Sequence, residues 1–346
     1  MKLDSQLRWK TNIKQWGSEL GFVSMGFTTA KPVNGLIPML QARIDQGMGT
    51  PFEELEILRR IDPRAVWPFC QTVVVLAYPV PLSLPPHDDE GVLSRSAVGQ
   101  DYHHIVHQKI KDLRDIMIGN DWPGNFSFQV DTGPLIERAF AVRAGVGWIG
   151  RNQHLIIPGY GSFVALGLLL LDQEIPLDAP LQSSECGTCQ KCVQACPAQI
   201  IGQEPFAAKR CISYLTQNKE VLTTNESSKL GKRIFGCDTC QEICPHNQKR
   251  IKEERVFPSV LRRGVDLLET ITMTKGEFQQ RFRSTAAGWR GKGVLQRNAF
   301  LVMRNIKDGR CQQWLTDREK DNFVPPMISP YIKDNVARCE EARSAE

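Results

Sequence analysis

Apolar residues recur at three- and four-residue intervals over 3–20, 36–46, 102–118 and 134–144, the spacing that gives a helix one buried face. Strand-like runs lie at 72–78, 126–130, 155–157 and 163–171. The last of these contains a glycine and falls well short of the roughly 18 apolar residues a membrane helix needs, so it suits a buried strand. Residues 1–180 therefore read as mixed α/β, divided by a proline-rich stretch at 79–91 that is expected to be a surface loop. From 181 to 250 the periodicity gives way to Cys, Gln and Pro with short helical pieces. Helical spacing returns over 251–346, where Gly288, Gly291 and Gly293 form a turn ahead of a helix at 295–306. The predicted architecture is α+β and multidomain, with parts at 1–180, 181–250 and 251–346.

With 346 residues, 41% of them apolar and 23% charged, the chain can bury a core of ordinary size. Its first twenty residues scatter charges where a secretory signal needs an apolar stretch. The expectation is a cytoplasmic protein with no membrane segment, acting as a monomer. Charge is uneven: residues 229–310 carry 18 Lys and Arg against 8 Asp and Glu, in a chain whose formal net charge is +5. A solvated basic face is the plain explanation. A polyanion partner is the sharper one, because Arg281, Arg283, Trp289, Arg290, Lys292, Arg297 and Arg304 interleave cations with an aromatic and glycines.

Eleven cysteines change the picture, because eight of them fall into a pattern. Cys186, Cys189, Cys192 and Cys196-Pro197 reproduce the C-x2-C-x2-C-x3-C-P run that ligates 4Fe-4S clusters in bacterial ferredoxins. Cys237, Cys240 and Cys244-Pro245 repeat the end of that run without its first cysteine, and Cys211 upstream can supply the missing ligand. In two-cluster ferredoxins the last cysteine of a run crosses to the other cluster. One set is then Cys186, Cys189, Cys192 and Cys244, and the other Cys196, Cys211, Cys237 and Cys240. Structural zinc also uses Cys-x2-Cys hooks, but pairs two of them rather than running three together. Cys70, Cys311 and Cys339 remain as ordinary packed or surface thiols.

Other signals are weaker. Gly145, Gly147 and Gly150 match G-x-G-x-x-G, yet a helical stretch precedes them and a strand-like one follows, the reverse of a dinucleotide site. Asp101 and His103 match part of the D-x-H-x-x-G signature of some cobalamin enzymes, with Val106 where glycine is required. His103, His104 and His107 read more simply as polar positions at a helix start. Asp131 lies where a strand ends and a helix begins, a place for a capping residue and also for a reacting group.

Together, VDTGPLIERAFAVRAGVGWIGRN, CGTCQKCVQACPAQ, KRCISYLTQ and FGCDTCQEICPHN resemble the epoxyqueuosine reductases, from about Ile61 to Asn305. The resemblance implies an N-terminal α/β domain that binds cobalamin, a ferredoxin-like domain with two 4Fe-4S clusters, and a short HEAT-like helical region that contacts transfer RNA. It implies reduction of epoxyqueuosine to queuosine at the wobble position of the anticodon stem-loop. Cob(I)alamin would attack the epoxide, Asp131 would donate the proton from a carboxyl whose pKa its pocket raises, and the clusters would relay electrons from an external low-potential donor. Corrin contacts carry over to Ser94, Asp131, Leu155, Ser213, Cys240 and Gln241. Ser96, Arg151 and the Gln153-His154 pair depart from the commoner family pattern. A corrinoid reductive dehalogenase, to which the family is related in its core, and a non-catalytic electron-transfer protein are the other readings.

Overall fold

A computed structural model describes residues 3–80, 85–181, 184–252, 262–321 and 324–332. Cys339 and residues 81–84 of the expected proline-rich loop lie outside the described residues. The strands, in chain order, are β1 (Ser24–Thr29), β2 (Thr72–Pro79), β3 (Gly91–Leu93), β4 (Phe126–Val130), β5 (Trp148–Ile149), β6 (Leu155–Ile156), β7 (Val164–Leu171), β8 (Arg233–Phe235) and β9 (Gly264–Val265).

The chain forms two compact units. One comprises Met1–Pro81, Tyr102–Lys209 and Thr239–Phe257, the other Leu82–Asp101, Arg210–Asp238 and Pro258–Glu346. The chain divides in this discontinuous way because β3 pairs with β8, about 140 residues later, and with β9. Of the cysteine-rich stretch, the residues up to Lys209 and from Thr239 fall in the first unit and Arg210–Asp238 in the second.

The first unit is built on a four-stranded sheet ordered β1-β2-β7-β4, with every pairing antiparallel. Helices and strands are mixed as the pattern predicts, but no parallel crossover occurs in this sheet. Central strands β2 and β7 read as near-continuous apolar runs because both faces are covered. On one face Val73, Val75, Ala77, Leu168 and Leu170 pack with Phe140, Ala141 and Ala144 from the Glu137–Arg143 helix and its end. The helix Tyr102–Gly119 buries Val106, Ile110, Leu113 and Met117, spaced along one stripe, and Val106 and Ile110 lie over Gly167 of β7. That helix and β4 carry the groups discussed below, so their packing sets the site's geometry.

The second unit holds the three-stranded sheet β8-β3-β9 and a central helix, Lys292–Asn305, in which every residue from Val294 to Met303 is buried. Gly291, at φ 88°, turns the chain into that helix, as the glycine cluster predicts.

Candidate functional site

Cys186, Cys189, Cys192 and Cys244 line one cavity of about 290 Å³ in the first unit, together with Arg151, Asn152 and His246. Gly187 sits between the first two cysteines at φ 48°, a left-handed conformation that lets the C-G-T-C turn close, with the Cys189 N–H donating to the Cys186 carbonyl at 3.0 Å. Arg151 donates to the Gly187 carbonyl at 2.8 Å and fastens this turn to the preceding hairpin.

Cys244 arrives from the second cysteine run and is held by a separate clamp. Asn247 is fully buried; its side chain accepts from the Ser162 N–H at 2.7 Å and donates to the Ser162 hydroxyl at 2.9 Å and the Gln241 carbonyl at 2.7 Å. A Cβ at Gly161 would stand 2.1 Å from the Asn247 side-chain oxygen, so glycine is required there. Nothing in the cysteine spacing identifies Asn247; its place in the C-P-H-N motif is the signal that could have.

Burial first, and then the neighbouring cysteine charges, raise the Cys192 and Cys244 thiols above the ordinary range. A cationic centre reverses that cost by binding the thiolates. Among the described residues no trio of His, Cys, Asp or Glu converges on a point as a single ion requires. The four thiols surround a volume instead, which fits a cubane better than tetrahedral zinc with its bonds of about 2.3 Å. In the other predicted set, Cys196 and Cys240 belong to the first unit, Cys211 and Cys237 to the second. Cys70 is fully buried, with its thiol pushed up to about 12 by burial, which makes it a packing residue.

Asp131 follows the last residue of β4 at φ 51°, a strained conformation for a residue with a side chain. It caps no helix, because the next one begins at Glu137 behind Ile136. Instead its Oδ2 accepts from the Tyr102 hydroxyl at 2.7 Å and lies 3.0 Å from His103 Nε2. The two rings are stacked, with centroids 4.0 Å apart and planes at 25°. His103 thus belongs to this site, through Asp131 rather than as a metal ligand.

The carboxyl is held below its usual range rather than raised. Desolvation pushes it up, but the bonds from His103 and Tyr102, with the charges of His103 and Arg138, outweigh that push together. Next to it Glu137 rises to about 7, through burial and then the charge of Asp131. Gln129 holds Glu137 by donating to its carboxylate at 2.8 Å and also bridges to the backbone of Leu135.

The residues expected at the corrin are already engaged. Leu155 is packed in the sheet core, and Gln241 accepts from the Ser162 hydroxyl at 2.9 Å. The Cys240 carbonyl accepts from Asn152 at 3.2 Å. Ser94 meets the Ser96 hydroxyl at 3.1 Å in the second unit, where Ser213 contacts Gln217.

Two family models match the chain. "4Fe-4S double cluster binding domain" covers residues 185–247, and "Epoxyqueuosine reductase QueG, DUF1730" covers 60–132. The epoxyqueuosine reductase of Staphylococcus aureus is 34% identical over 319 residues, 89% of this chain and 83% of that protein. The chain belongs to the epoxyqueuosine reductase family. A solved epoxyqueuosine reductase with an epoxyqueuosine-modified tRNA-Tyr stem loop superimposes with a TM-score of 0.82 at 31% identity, over 90% of this chain and 85% of that one. The Bacillus subtilis epoxyqueuosine reductase, solved with its catalytic aspartate loop swung out of the active site, gives 0.85 at 30% identity, over 93% and 88%.

Membership of the epoxyqueuosine reductase family fits a chain in which, among the described residues, no helix is long and apolar enough to cross a membrane. The glycine motif is likewise no dinucleotide site: the Glu137–Arg143 helix precedes it and the β5–β6 hairpin follows, and a Cβ at Gly147 would strike the Ile156 carbonyl.

The basic stretch needs correction. Arg297 is fully buried and donates to the carbonyls of Asn218, Glu220 and Leu215 at 2.9 to 3.0 Å, so it braces the second unit and touches no polyanion. Arg281 pairs with Glu269, Arg290 donates to the Gln217 carbonyl, Lys292 to that of Met273 and Arg304 to that of Tyr331. Arg283 and Trp289 are exposed, and the Arg290 guanidinium lies over the Trp289 ring at 4.6 Å. Local composition registered the cations but could not tell the buried from the exposed.

Proposed function

We infer that this chain reduces epoxyqueuosine to queuosine at the wobble position of transfer RNA, using two 4Fe-4S clusters and cobalamin. The observation that carries the reading is the single cavity lined by Cys186, Cys189, Cys192 and Cys244, in a chain about a third identical to epoxyqueuosine reductases over most of its length. These four hold one cluster. Cys196, Cys211, Cys237 and Cys240 hold the other on the strength of their spacing, and an external low-potential donor fills both.

The hydroxyl and carboxamide groups of Ser94, Ser213 and Gln241 suit the amide arms of a corrin. When bound, the cobalamin supplies a strongly nucleophilic reduced cobalt for opening a strained ring. Asp131 supplies a proton to the oxygen that leaves. Removing an epoxide oxygen to leave an alkene takes two electrons and two protons and yields water. The dehalogenase and electron-transfer readings are not favoured, because relatives 31–34% identical over most of the chain are epoxyqueuosine reductases.

Anaerobic incubation with cobalamin, a strong reductant and transfer RNA carrying epoxyqueuosine, followed by nucleoside analysis, tests the assignment. Queuosine should appear in proportion to enzyme turnover. No conversion by protein that carries both clusters and binds the corrin would overturn it.

A further inference from the structure

Asp131 meets two donors on one carboxylate oxygen. Tyr102 and His103 both reach Oδ2, and the stack between their rings fixes them as a pair. An ionised carboxylate can only accept, so Nε2 of His103 carries the hydrogen in this contact. The His103 side chain is 28% exposed, which gives it access to bulk water.

The reaction's proton count makes this arrangement more than a brace. Both protons end on the same substrate oxygen: one when the first C–O bond opens, the second when the remaining C–O bond breaks and water leaves. The two electrons come from the reductive half of the reaction. A carboxyl delivers one proton and must be recharged before the next. Its environment also favours the ionised form, which leaves it a poor proton store at neutral pH. An imidazole, unlike a phenol or an amide, gains and loses a proton near neutrality.

We propose that His103 recharges Asp131 through Oδ2 between two proton deliveries to one substrate oxygen, while Tyr102 keeps the carboxylate aligned. The proton leaves His103 Nε2, protonates Asp131, passes to the substrate oxygen, and is replaced on the imidazole from solvent. His103 acts through Asp131 and is a positioning residue with a proton to hand on. The relay rests on the reading of Asp131 as the acid. The charged and titratable groups facing Asp131 are Tyr102 and His103 on one helix and Glu137 and Arg138 on the other.

The test uses cluster-loaded protein with cobalamin and a modified stem-loop. His103→Gln keeps a side-chain N–H donor but cannot carry the proton. Its iron content and stem-loop affinity should match the parent, while the single-turnover rate falls by about 10²-fold. Any decline of the parent's rate with rising pH that reports loss of the relayed proton should be absent in the variant. His103→Ala should recover activity with added imidazole, more strongly at lower pH. A parent-like rate and pH profile in His103→Gln, or no imidazole rescue of a folded, iron-replete His103→Ala, overturns the relay. Asp131→Ala separates the two ideas: full activity there removes the acid assignment itself, whereas an inactive Asp131→Ala beside an unimpaired His103→Gln removes the relay alone.

Discussion

The cysteine cavity and the end of β4 lie in the same unit, yet they are assembled in opposite ways. Three of the cavity's cysteines sit within seven residues of one another, and Gly187 lets that short segment wrap. The spacing is the geometry, so the chemistry can be read from the chain. At Asp131 the groups that matter come from 28 and 29 residues away and meet only because the Tyr102–Gly119 helix is packed beside β4. Three of the four cavity cysteines are therefore written locally and only Cys244 is brought in by packing, through the Asn247 clamp, whereas every partner at the proton site is supplied by tertiary packing.

The comparison breaks most sharply at the cavity. Cys189→Ser removes a ligand from one cluster set and should lower bound iron to roughly half, with turnover lost, as measured by iron analysis and electron paramagnetic resonance. Asp131→Ala should do the reverse: iron and corrin binding are kept, while turnover falls by about 10²- to 10⁴-fold. If Asp131→Ala lost iron as well, the two regions would not be separable.

What the chain disclosed follows the same division. The helix at 102–118 and the strands β2, β4 and β7 come from periodicity almost to the residue, because their burial is strong and regular, while the helix expected over 134–144 starts three residues later, at Glu137. β1 went unread: in Ser24–Thr29, Phe27 is the one large apolar residue that is fully buried, so the segment lacks a strand's usual signature. The three-stranded sheet of the second unit was equally silent, being made of strands two or three residues long. Asp131 is visible at a strand end, but His103 reads as a helix-start polar residue and no sequence signal marks Tyr102. The Asp131 shift runs opposite to the expectation from burial alone, because its donors Tyr102 and His103 come from a helix that the strand-end pattern does not include.

Arg297 sharpens the lesson in the second unit. Its guanidinium satisfies carbonyls at 215, 218 and 220, all drawn toward one buried helix. Arg297→Met would leave those acceptors unpaired and should lower stability by about 3 kcal/mol or more in chemical denaturation. Glu137 provides a smaller and pH-dependent term in the first unit. Its folded-state pKa, about 7, exceeds the ordinary 4.5, so folding takes up a proton between those values. That stabilisation is complete below about 4.5 and is lost as pH rises through 7. Because the side chain is half-buried, solvent screening keeps it under about 3 kcal/mol. Glu137→Gln preserves the bond from Gln129 and should flatten the fall in melting temperature between pH 5 and 8, roughly the span over which this group titrates.

The smallest effect is expected from a cation that Arg297 superficially resembles. Arg283 lies in the same basic stretch but is exposed. If it meets an RNA phosphate, Arg283→Ala should weaken binding of a modified stem-loop by about 1 kcal/mol and reduce the slope of log affinity against log salt by about one. Arg297→Met, in folded protein, should leave that slope unchanged, because a guanidinium bound to carbonyls releases no counterions. Equal slopes for parent and Arg283→Ala would move the RNA contact elsewhere. A reduced slope in Arg297→Met would show that the buried brace holds the RNA face in shape. Either result would tell whether the positive charge of this stretch serves recognition, or whether most of it is spent, as at Arg297, on closing the fold.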